Sequence, residues 1–200
     1  MKPVVLKQQF YLNEDVVALS KALLGKVIIT KLNNSLTSGI IVETEAYNGI
    51  SDKASHAYNN RRTNRTEIMY AKGGVAYVYL CYGIHHLFNI VTGKKDNPQA
   101  VLIRAIEPLE GIEHMLQRRN LTQLSARLTA GPGVMSAALG INKELNGQML
   151  FDAPIWLEER GIKVTNNEIV ASPRVGIDYA AEHKHLPWRF HIKNNPWVSK

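Results

Sequence analysis

Cysteine is almost missing from this chain, and that scarcity excludes two structural classes. Of its 200 residues only Cys81 is a cysteine, so the chain forms no internal disulfide and offers no thiolate cluster for a structural zinc ion. A single cysteine is typical of a protein from a reducing compartment. We therefore expect a cytoplasmic protein.

Long apolar segments are missing as well. No apolar run approaches the roughly 20 residues that cross a bilayer, and the N-terminal stretch MKPVVLKQQFYLNEDV lacks the apolar core of a secretory signal. Hydrophobic residues make up 45% of the chain and charged residues 20%, which is typical of a folded globular protein. The length favours one domain over residues 1–200, and we expect no membrane segment.

Acidic residues are fewer than basic ones, 17 against 24, which gives a formal net charge of +7. The excess is concentrated in two segments: 53–72 holds five basic residues and one acid, and 183–200 holds four basic residues and no acid. Two such segments could form the walls of a groove for nucleic-acid phosphates, or they could be a loop and a solvated tail. The charge alone leaves both interpretations open.

Hydrophobic periodicity and turn residues predict an α+β fold, with antiparallel strands and helices packed against them. One helix should begin after an N-cap at Asn13 and stop at Gly25. A second helical region covers 109–141, interrupted at Gly131-Pro132-Gly133, where Pro132 is suited to open a new helix. A basic surface loop covers 48–68. The predicted strands are 26–32, 39–47, 75–84, 87–93 and 100–108, of which the third and fourth form a hairpin, with short strands near 154–158, 168–171 and 188–193.

Two glutamates stand near the end of one predicted strand. Glu43 and Glu45 are two residues apart, so strand alternation places them on one face, together with Tyr47. A carboxylate at a strand end can act as a general base towards water. The same pair would also suit a surface salt bridge or a partner for a nearby lysine.

Three tyrosines mark the predicted hairpin. Tyr77 and Tyr79 share one face of its first strand, and Tyr82 lies on the other face or at the turn. They could be ordinary residues of a half-buried sheet, or a stacking platform for a base with an aromatic wedge at the hairpin tip. His56, in the basic loop, is a candidate for hydrogen bonding to a base edge.

Pairs of histidines, His85-His86 and His183/His185, suggest metal ligands. The chain has neither a cysteine cluster nor an HExxH sequence, so we expect no metal site. A metal-dependent hydrolase that uses these pairs stays an alternative, and it would lose its activity in a chelator.

Seven segments match, in order, a single known protein family. They are IVETEAY (41–47), ASH (54–56), RRTNRT (61–66), YVYLCYGIHHLFN (77–89), AVLIRAIEPLEG (100–111), GPGVMSAALGIN (131–142) and RFHIKNNPWVS (189–199). Each segment is a weak signal alone, but the ordered set is highly specific. On these segments the chain resembles the alkyladenine (3-methyladenine) DNA glycosylase family.

The resemblance implies a base-excision repair enzyme that acts on double-stranded DNA. Such an enzyme flips an alkylated purine, of 3-methyladenine or 7-methylguanine type, out of the helix and hydrolyses its N-glycosidic bond, which leaves an abasic site. The implied fold is one domain around a curved antiparallel sheet, with flanking helices and a protruding β-hairpin. The resemblance also implies a monomer without metal or cofactor, nucleoid-associated if bacterial or nuclear if eukaryotic.

The resemblance implies two catalytic residues. Glu45 matches the catalytic glutamate of the family, and Arg104 matches an arginine near the catalytic water and the DNA backbone. No lysine stands in the matching motifs to form a Schiff base, so we expect hydrolysis without strand cleavage.

Five further residues match positions that contact the DNA. Tyr47, His56 and Tyr79 match residues around the flipped base. Asn89 matches an asparagine on the pocket floor that helps to exclude normal guanine. Tyr82 matches the aromatic residue that takes the place of the extruded nucleotide.

A non-catalytic nucleic-acid-binding module of similar fold is the main alternative. It would share the basic charge, the tyrosines and the sheet. It would not require an acid at Glu45 beside Tyr47 and His56. Release of free base from methylated duplex DNA distinguishes the two.

Overall fold

Antiparallel β-strands form the framework of the computed structural model, which describes residues 2–200. These residues form ten strands, four short α-helices and seven 3-10 segments. The strands are β1 (Val4–Val5), β2 (Val27–Leu32), β3 (Ser35–Tyr47), β4 (Val75–Cys81), β5 (His85–Thr92), β6 (Gln99–Glu110), β7 (Phe151–Asp152), β8 (Ile155–Glu159), β9 (Ile169–Ser172) and β10 (Arg189–Ile192). The helices are α1 (Gln8–Tyr11), α2 (Val16–Ala22), α3 (Ile112–Arg118) and α4 (Pro132–Leu139). Within residues 2–200 no helix has the length and apolarity to cross a membrane.

One sheet, in the order β1-β8-β2-β3-β6-β5-β4, carries the fold. The first half of β3 pairs with β2 and its second half with β10, while β6 runs along its other edge. The β3–β6 register shifts between Ser38 and Gly39 and on both sides of Glu43. Such bulges bend and twist the strands, and the sheet is curled. The predicted α+β fold class with a curved antiparallel sheet is confirmed.

Alternation along the strands separates the main core from the face that carries the polar residues. Ala46, Val78, Phe88 and Ile103 all point into the main core, against which α2 and α4 pack. Because strand side chains alternate, their neighbours along the chain point to the opposite face. That second face carries the predicted site residues of β3, β4, β5 and β6, namely Glu45, Tyr47, Tyr79, Asn89 and Arg104.

Helix α2 begins two residues later than the sequence predicted. Asp15, not Asn13, is the N-cap of α2, and its carboxylate accepts a hydrogen bond from the Ala18 N–H at 2.9 Å. Asn13 instead accepts from the Asp15 N–H at 2.9 Å and so shapes the turn before the helix. Gly25, with φ +82°, then leads the chain towards β2.

The predicted helical region 109–141 contains two short α-helices, α3 and α4, rather than a longer helical run. The predicted break at Gly131, which has φ +144°, is confirmed. A second break was not predicted: α3 ends before Asn120, whose φ of +51° an α-helix excludes. Pro132 is the first residue of α4, as expected for a proline that opens a helix.

Two predicted strand ends are also wrong. The hairpin strand ends at Cys81 rather than at residue 84, because Tyr82 at φ +50° and Gly83 at φ +72° form the turn. β6 continues to Glu110 instead of ending at Pro108. Pro108 pairs with Gly39 beside a register shift, where a missing N–H is tolerated.

Candidate active site

A cavity of about 970 Å³ opens on the polar face of the sheet. Side chains of β3 to β6 and three loops, near residues 53–66, 130–134 and 175–179, form its lining. The predicted site residues that line it are Tyr47, His56, Tyr79, Tyr82, Asn89 and Arg104. Glu45 adjoins this lining through its contacts with Tyr47 and Arg104. The fold therefore brings all seven predicted residues to one place.

Glu43 and Glu45 are fully buried, and Arg104 of β6 lies against both. The guanidinium Nε donates to Glu43 Oε1 at 2.8 Å, and Nη1 lies 3.2 Å from Glu45 Oε1. The shared partner confirms that the two acids lie on one face of β3. The alternative of a surface salt bridge is wrong, because both carboxylates have no exposed surface.

The Glu45 carboxylate accepts hydrogen bonds from two further groups. Tyr47 donates its hydroxyl to Oε2 at 2.7 Å, and the Val175 N–H donates to Oε1 at 2.8 Å. A carboxylate has about four lone-pair positions. Within residues 2–200, Arg104 and Val175 contact Oε1 and Tyr47 alone donates to Oε2, so one lone pair of Oε2 has no donor.

Burial and the neighbouring charges set the protonation states around this pair. Burial raises the pKa of Tyr47 well above its usual value, and the negative charge of Glu45 adds to the effect, so the hydroxyl stays a donor. Burial alone would raise the pKa of Glu43, but Arg104, the Ser199 N–H and Arg189 more than offset it and lower the pKa. These contacts favour the charged form of Glu43, which pairs with the two arginines.

An aromatic cluster lines the wall next to this pair. Tyr77 and Tyr79 lie 5.3 Å apart between ring centroids, and the His56 ring meets Tyr79 edge-on at 4.8 Å. His56 Nδ1 lies 2.9 Å from the Tyr77 hydroxyl, and the Arg65 guanidinium lies 4.7 Å above the Tyr79 ring. The prediction that Tyr77 and Tyr79 share a face is confirmed. Tyr77, to which the family resemblance gave no site role, contacts the histidine through its hydroxyl.

Burial lowers the pKa of His56 to about 4, and the charges of Arg65 and Arg61 add to the effect. The imidazole is therefore neutral at physiological pH. Since the usual pKa is 6.5, the unfolded chain binds this proton first as the pH falls. His56 thus contributes stability that is present above pH 6.5 and is lost as the pH falls towards 4.

His56→Gln is therefore expected to flatten the acid side of the stability curve. Denaturant unfolding between pH 7 and pH 4 should show a smaller loss of unfolding free energy than in the wild type, because the variant has no imidazole to protonate. Equal slopes for His56→Gln and the wild type would contradict the assignment.

Asn89 lines the cavity, and a backbone carbonyl of β4 holds its amide. The residue is buried, and its Nδ2 donates to the Tyr77 carbonyl at 3.1 Å. This bond fixes which side of the amide faces the backbone. A fixed amide can distinguish a base that offers a donor from one that does not.

Tyr82 occupies the tip of the β4–β5 hairpin. Its side chain is 88% exposed, and Ile84 beside it is 73% exposed. Exposed apolar side chains at the end of a hairpin are expected where a partner surface covers them. The hairpin that the resemblance implied is confirmed.

The sequence analysis missed a second buried ion pair, which lies beside the Tyr47 ring. Arg174 donates to both carboxylate oxygens of Asp52, and both side chains are fully buried. The same guanidinium lies 4.8 Å from the Tyr47 ring centroid and 5.2 Å from that of Trp188. It therefore packs against both rings and helps to fix the position of Tyr47. No local pattern marks this pair, since 122 positions separate its members.

The two basic segments have a more mixed character than their composition suggests. Lys53 pairs with Glu182, and Arg62 pairs with Glu67 and Asp96. The 183–200 segment is not a solvated tail, because it contains β10. Its Arg189 donates to buried Glu43 at 2.6 Å.

The histidine pairs do not assemble into a metal centre. His85 and His86 begin β5 next to the hairpin tip, and His183 accepts a hydrogen bond from the Lys53 N–H at 3.1 Å. Across residues 2–200, no three His, Cys, Asp or Glu side chains come close enough together to hold a metal ion.

Comparison with known proteins identifies the class to which this fold and site belong. Residues 9–196 match the methylpurine-DNA glycosylase family. A protein of Chlamydia abortus is 50% identical over 193 residues, which are 95% of this chain and 100% of that protein. Proteins of Chlamydia pneumoniae and Natranaerobius thermophilus are 50% and 45% identical, over 93% and 94% of this chain and 94% and 96% of their own lengths. All three are provisionally named 3-methyladenine DNA glycosylase.

The chain therefore belongs to the methylpurine-DNA glycosylase family, a family of DNA repair enzymes. The resemblance predicted from its seven ordered segments is confirmed. Membership in this family identifies the protein as a DNA glycosylase, an enzyme whose substrate is DNA.

Proposed function

We propose that this protein flips 3-methyladenine and related alkylated purines out of duplex DNA and hydrolyses their N-glycosidic bond. The observation that carries the proposal is the buried Glu45, held by Arg104, Tyr47 and the Val175 N–H beside an aromatic cavity. A buried carboxylate with so many aimed donors is costly to build, and such sites are concentrated where chemistry occurs.

The cavity suits a cationic purine better than a normal base. Purines methylated at N3 or N7 carry positive charge, and tyrosine ring faces attract cations. Arg65 already occupies one face of Tyr79 and Arg174 one face of Tyr47, so in this proposal the base stacks on the opposite faces of these rings. The neutral His56 adds a ring without adding a repelling charge. We propose that Asn89 excludes normal guanine from the floor of the cavity.

The methylated base is already a good leaving group, so the protein mainly has to supply an oriented water. In this mechanism the C1′–N bond breaks, and its electron pair neutralises the departing base. Water adds its oxygen to C1′ and gives its proton to Glu45, whose negative charge also stabilises the cationic sugar. The water would occupy the position left on Oε2, and Arg104 and the Val175 N–H hold the opposite oxygen.

Strand cleavage through a Schiff base is not part of the proposal. Lys53 is the lysine among the residues that line the cavity, and its Nζ lies 2.8 Å from Glu182. An amine in an ion pair is protonated and is a poor nucleophile. We infer a monofunctional glycosylase that acts as a monomer and leaves an intact strand with an abasic site.

We propose that Tyr82 enters the duplex and fills the space of the flipped nucleotide. Tyr82→Ser should weaken binding to a duplex with an abasic site by about 10- to 100-fold, since stacking on a base contributes about 1–3 kcal/mol. Unfolding free energy should change little, because the side chain is exposed. Fluorescence anisotropy titration measures the affinity.

Leu124→Ser is a suitable control for this variant. Leu124 is 51% exposed and is not part of the cavity lining, so its loss should leave DNA affinity unchanged. Wild-type affinity for Tyr82→Ser would show that the hairpin tip does not enter the stack.

Release of free base tests the proposed function as a whole. The protein is incubated with N-methylated duplex DNA, with and without chelator, and free purines are separated by chromatography. We expect 3-methyladenine release that chelator leaves unchanged. Tight binding without release would favour the non-catalytic binding module, and loss of release in chelator would favour the metal-dependent hydrolase.

A further inference from the structure

The C-terminal segment reaches into the buried charge cluster, although the proposed chemistry gives it no role. Ser199 is buried, and its N–H donates to Glu43 Oε2 at 2.7 Å. Its hydroxyl donates to Glu43 Oε1 at 2.8 Å. The basic composition of 183–200 does not account for this placement, since Ser199 carries no charge.

Arg104 directs its three guanidinium nitrogens at three different partners. Nε donates to Glu43 Oε1 at 2.8 Å, and Nη2 donates to the Ser199 hydroxyl oxygen at 3.3 Å. Nη1 remains, and it lies 3.2 Å from Glu45 Oε1. Because a guanidinium is planar and rigid, fixing Nε and Nη2 also fixes the direction of Nη1.

The charges of the cluster balance without Ser199. Glu43 and Glu45 carry two negative charges, and Arg104 and Arg189 carry two positive ones. Arg189 also donates to the Ser199 carbonyl at 2.9 Å. Ser199 thus contacts three of the four charged groups and changes none of their charges, which suits a group that sets orientation.

We propose that Ser199 is a positioning residue: together with Glu43 it orients Arg104 so that Nη1 points at Glu45. The proposal rests on the proposed function of Glu45 as the general base. Ser199 touches neither DNA nor water in this scheme. Without its hydroxyl, Nη2 loses a buried acceptor and the guanidinium is free to turn away from Glu45.

Ser199→Ala and Ser38→Ala form a matched pair that separates positioning from stability. The Ser38 hydroxyl is also buried and also donates to a glutamate, Glu110, at 2.6 Å, but it lies outside the cavity lining. We expect Ser199→Ala to lower the single-turnover rate of base release about tenfold, because a small misplacement of a catalytic group is costly. Affinity for an abasic duplex should not change, and Ser38→Ala should release base at the wild-type rate.

Two further measurements keep the proposal independent of folding and of the proposed function. Ser199→Thr keeps the hydroxyl and should restore most of the rate. In free protein, NMR should resolve separate Hη signals for the Arg104 guanidinium, identified by their loss in Arg104→Lys. These signals should broaden in Ser199→Ala and stay sharp in Ser38→Ala. Sharp signals in Ser199→Ala, or equal rate losses in both alanine variants, would overturn the proposal whether or not the wild type releases base.

Discussion

Glu45→Gln should release methylated base about 10²–10⁴ times more slowly than the wild type, the range that positioned general bases contribute. Glutamine has nearly the same shape. Its amide oxygen can accept from Arg104 and the Val175 N–H, and its amide nitrogen can donate to the Tyr47 hydroxyl oxygen. The variant therefore loses the base and the negative charge while keeping the geometry. Single-turnover base release and binding to methylated duplex, measured on the same preparation, give both quantities.

Binding to methylated duplex should survive in Glu45→Gln, since Tyr47, Tyr79 and the hairpin tip are unchanged. Glu107→Gln is the matched control: Glu107 also accepts a hydrogen bond, from Asn195 at 2.8 Å, and lies outside the cavity lining. It should release base normally. Release by Glu45→Gln at close to the wild-type rate would remove Glu45 from the chemistry.

Asp52→Ala should lower the unfolding free energy by about 3–5 kcal/mol, because it leaves the buried charge of Arg174 without its partner. Burial alone would raise the pKa of Asp52, but Arg174 and the N–H groups of Ala54 and Asn48 lower it. In the variant the N–H groups of Ala54 and Asn48 also lose the carboxylate that accepts their hydrogen bonds, which lowers the unfolding free energy further. Denaturant unfolding at pH 7 measures the change.

Glu67→Ala provides the comparison for this ion pair. The Arg62–Glu67 pair is nearly as short, with 2.6 Å between nitrogen and oxygen against 2.5 Å for Arg174 and Asp52. Its side chains are 45% and 58% exposed, however, so its loss should change the unfolding free energy by less than about 1 kcal/mol. Similar losses for the two variants would mean that Arg174 finds another partner or water in the absence of Asp52. Because Arg174 also packs on Tyr47, Asp52→Ala should slow base release in the molecules that remain folded.

The parts of the site that the sequence predicted are those set by short-range periodicity. Strand alternation placed Glu43 and Glu45 together, and it placed Tyr77 beside Tyr79. Burial was not predictable in the same way. Two carboxylates two residues apart have the same spacing on an exposed strand and on an enclosed one. Here β3 is enclosed, because β6 pairs with one of its edges and β10 with the other.

The missed residues come from contacts between distant segments. Ser199 and Glu43 are 156 positions apart, and they meet because β10 pairs with the second half of β3. The same pairing explains why the basic 183–200 segment was open to interpretation as a solvated tail. Its register sets Arg189 directly opposite Glu45, where its guanidinium reaches Glu43.

The fold errors arise where tertiary packing decides between conformations that the local sequence allows equally. The predicted helical region 109–141 has helical composition, but a few residues at positive φ confine α-helix to two short pieces. Such conformations depend on what the turn packs against, which the sequence of the turn does not specify. The N-cap moved from Asn13 to Asp15 because both residues can cap, and only the packing of α2 on β3 chooses between them.

The most direct test of the proposed function uses one defined duplex with a single 3-methyladenine, under single-turnover conditions with the wild-type protein. Free 3-methyladenine and abasic sites are counted in the same samples, and strand length is measured before alkali. The proposed mechanism predicts one abasic site for each base released, an intact strand, and no release from the same duplex with normal adenine. Binding without release, or release coupled to strand cleavage, would contradict it.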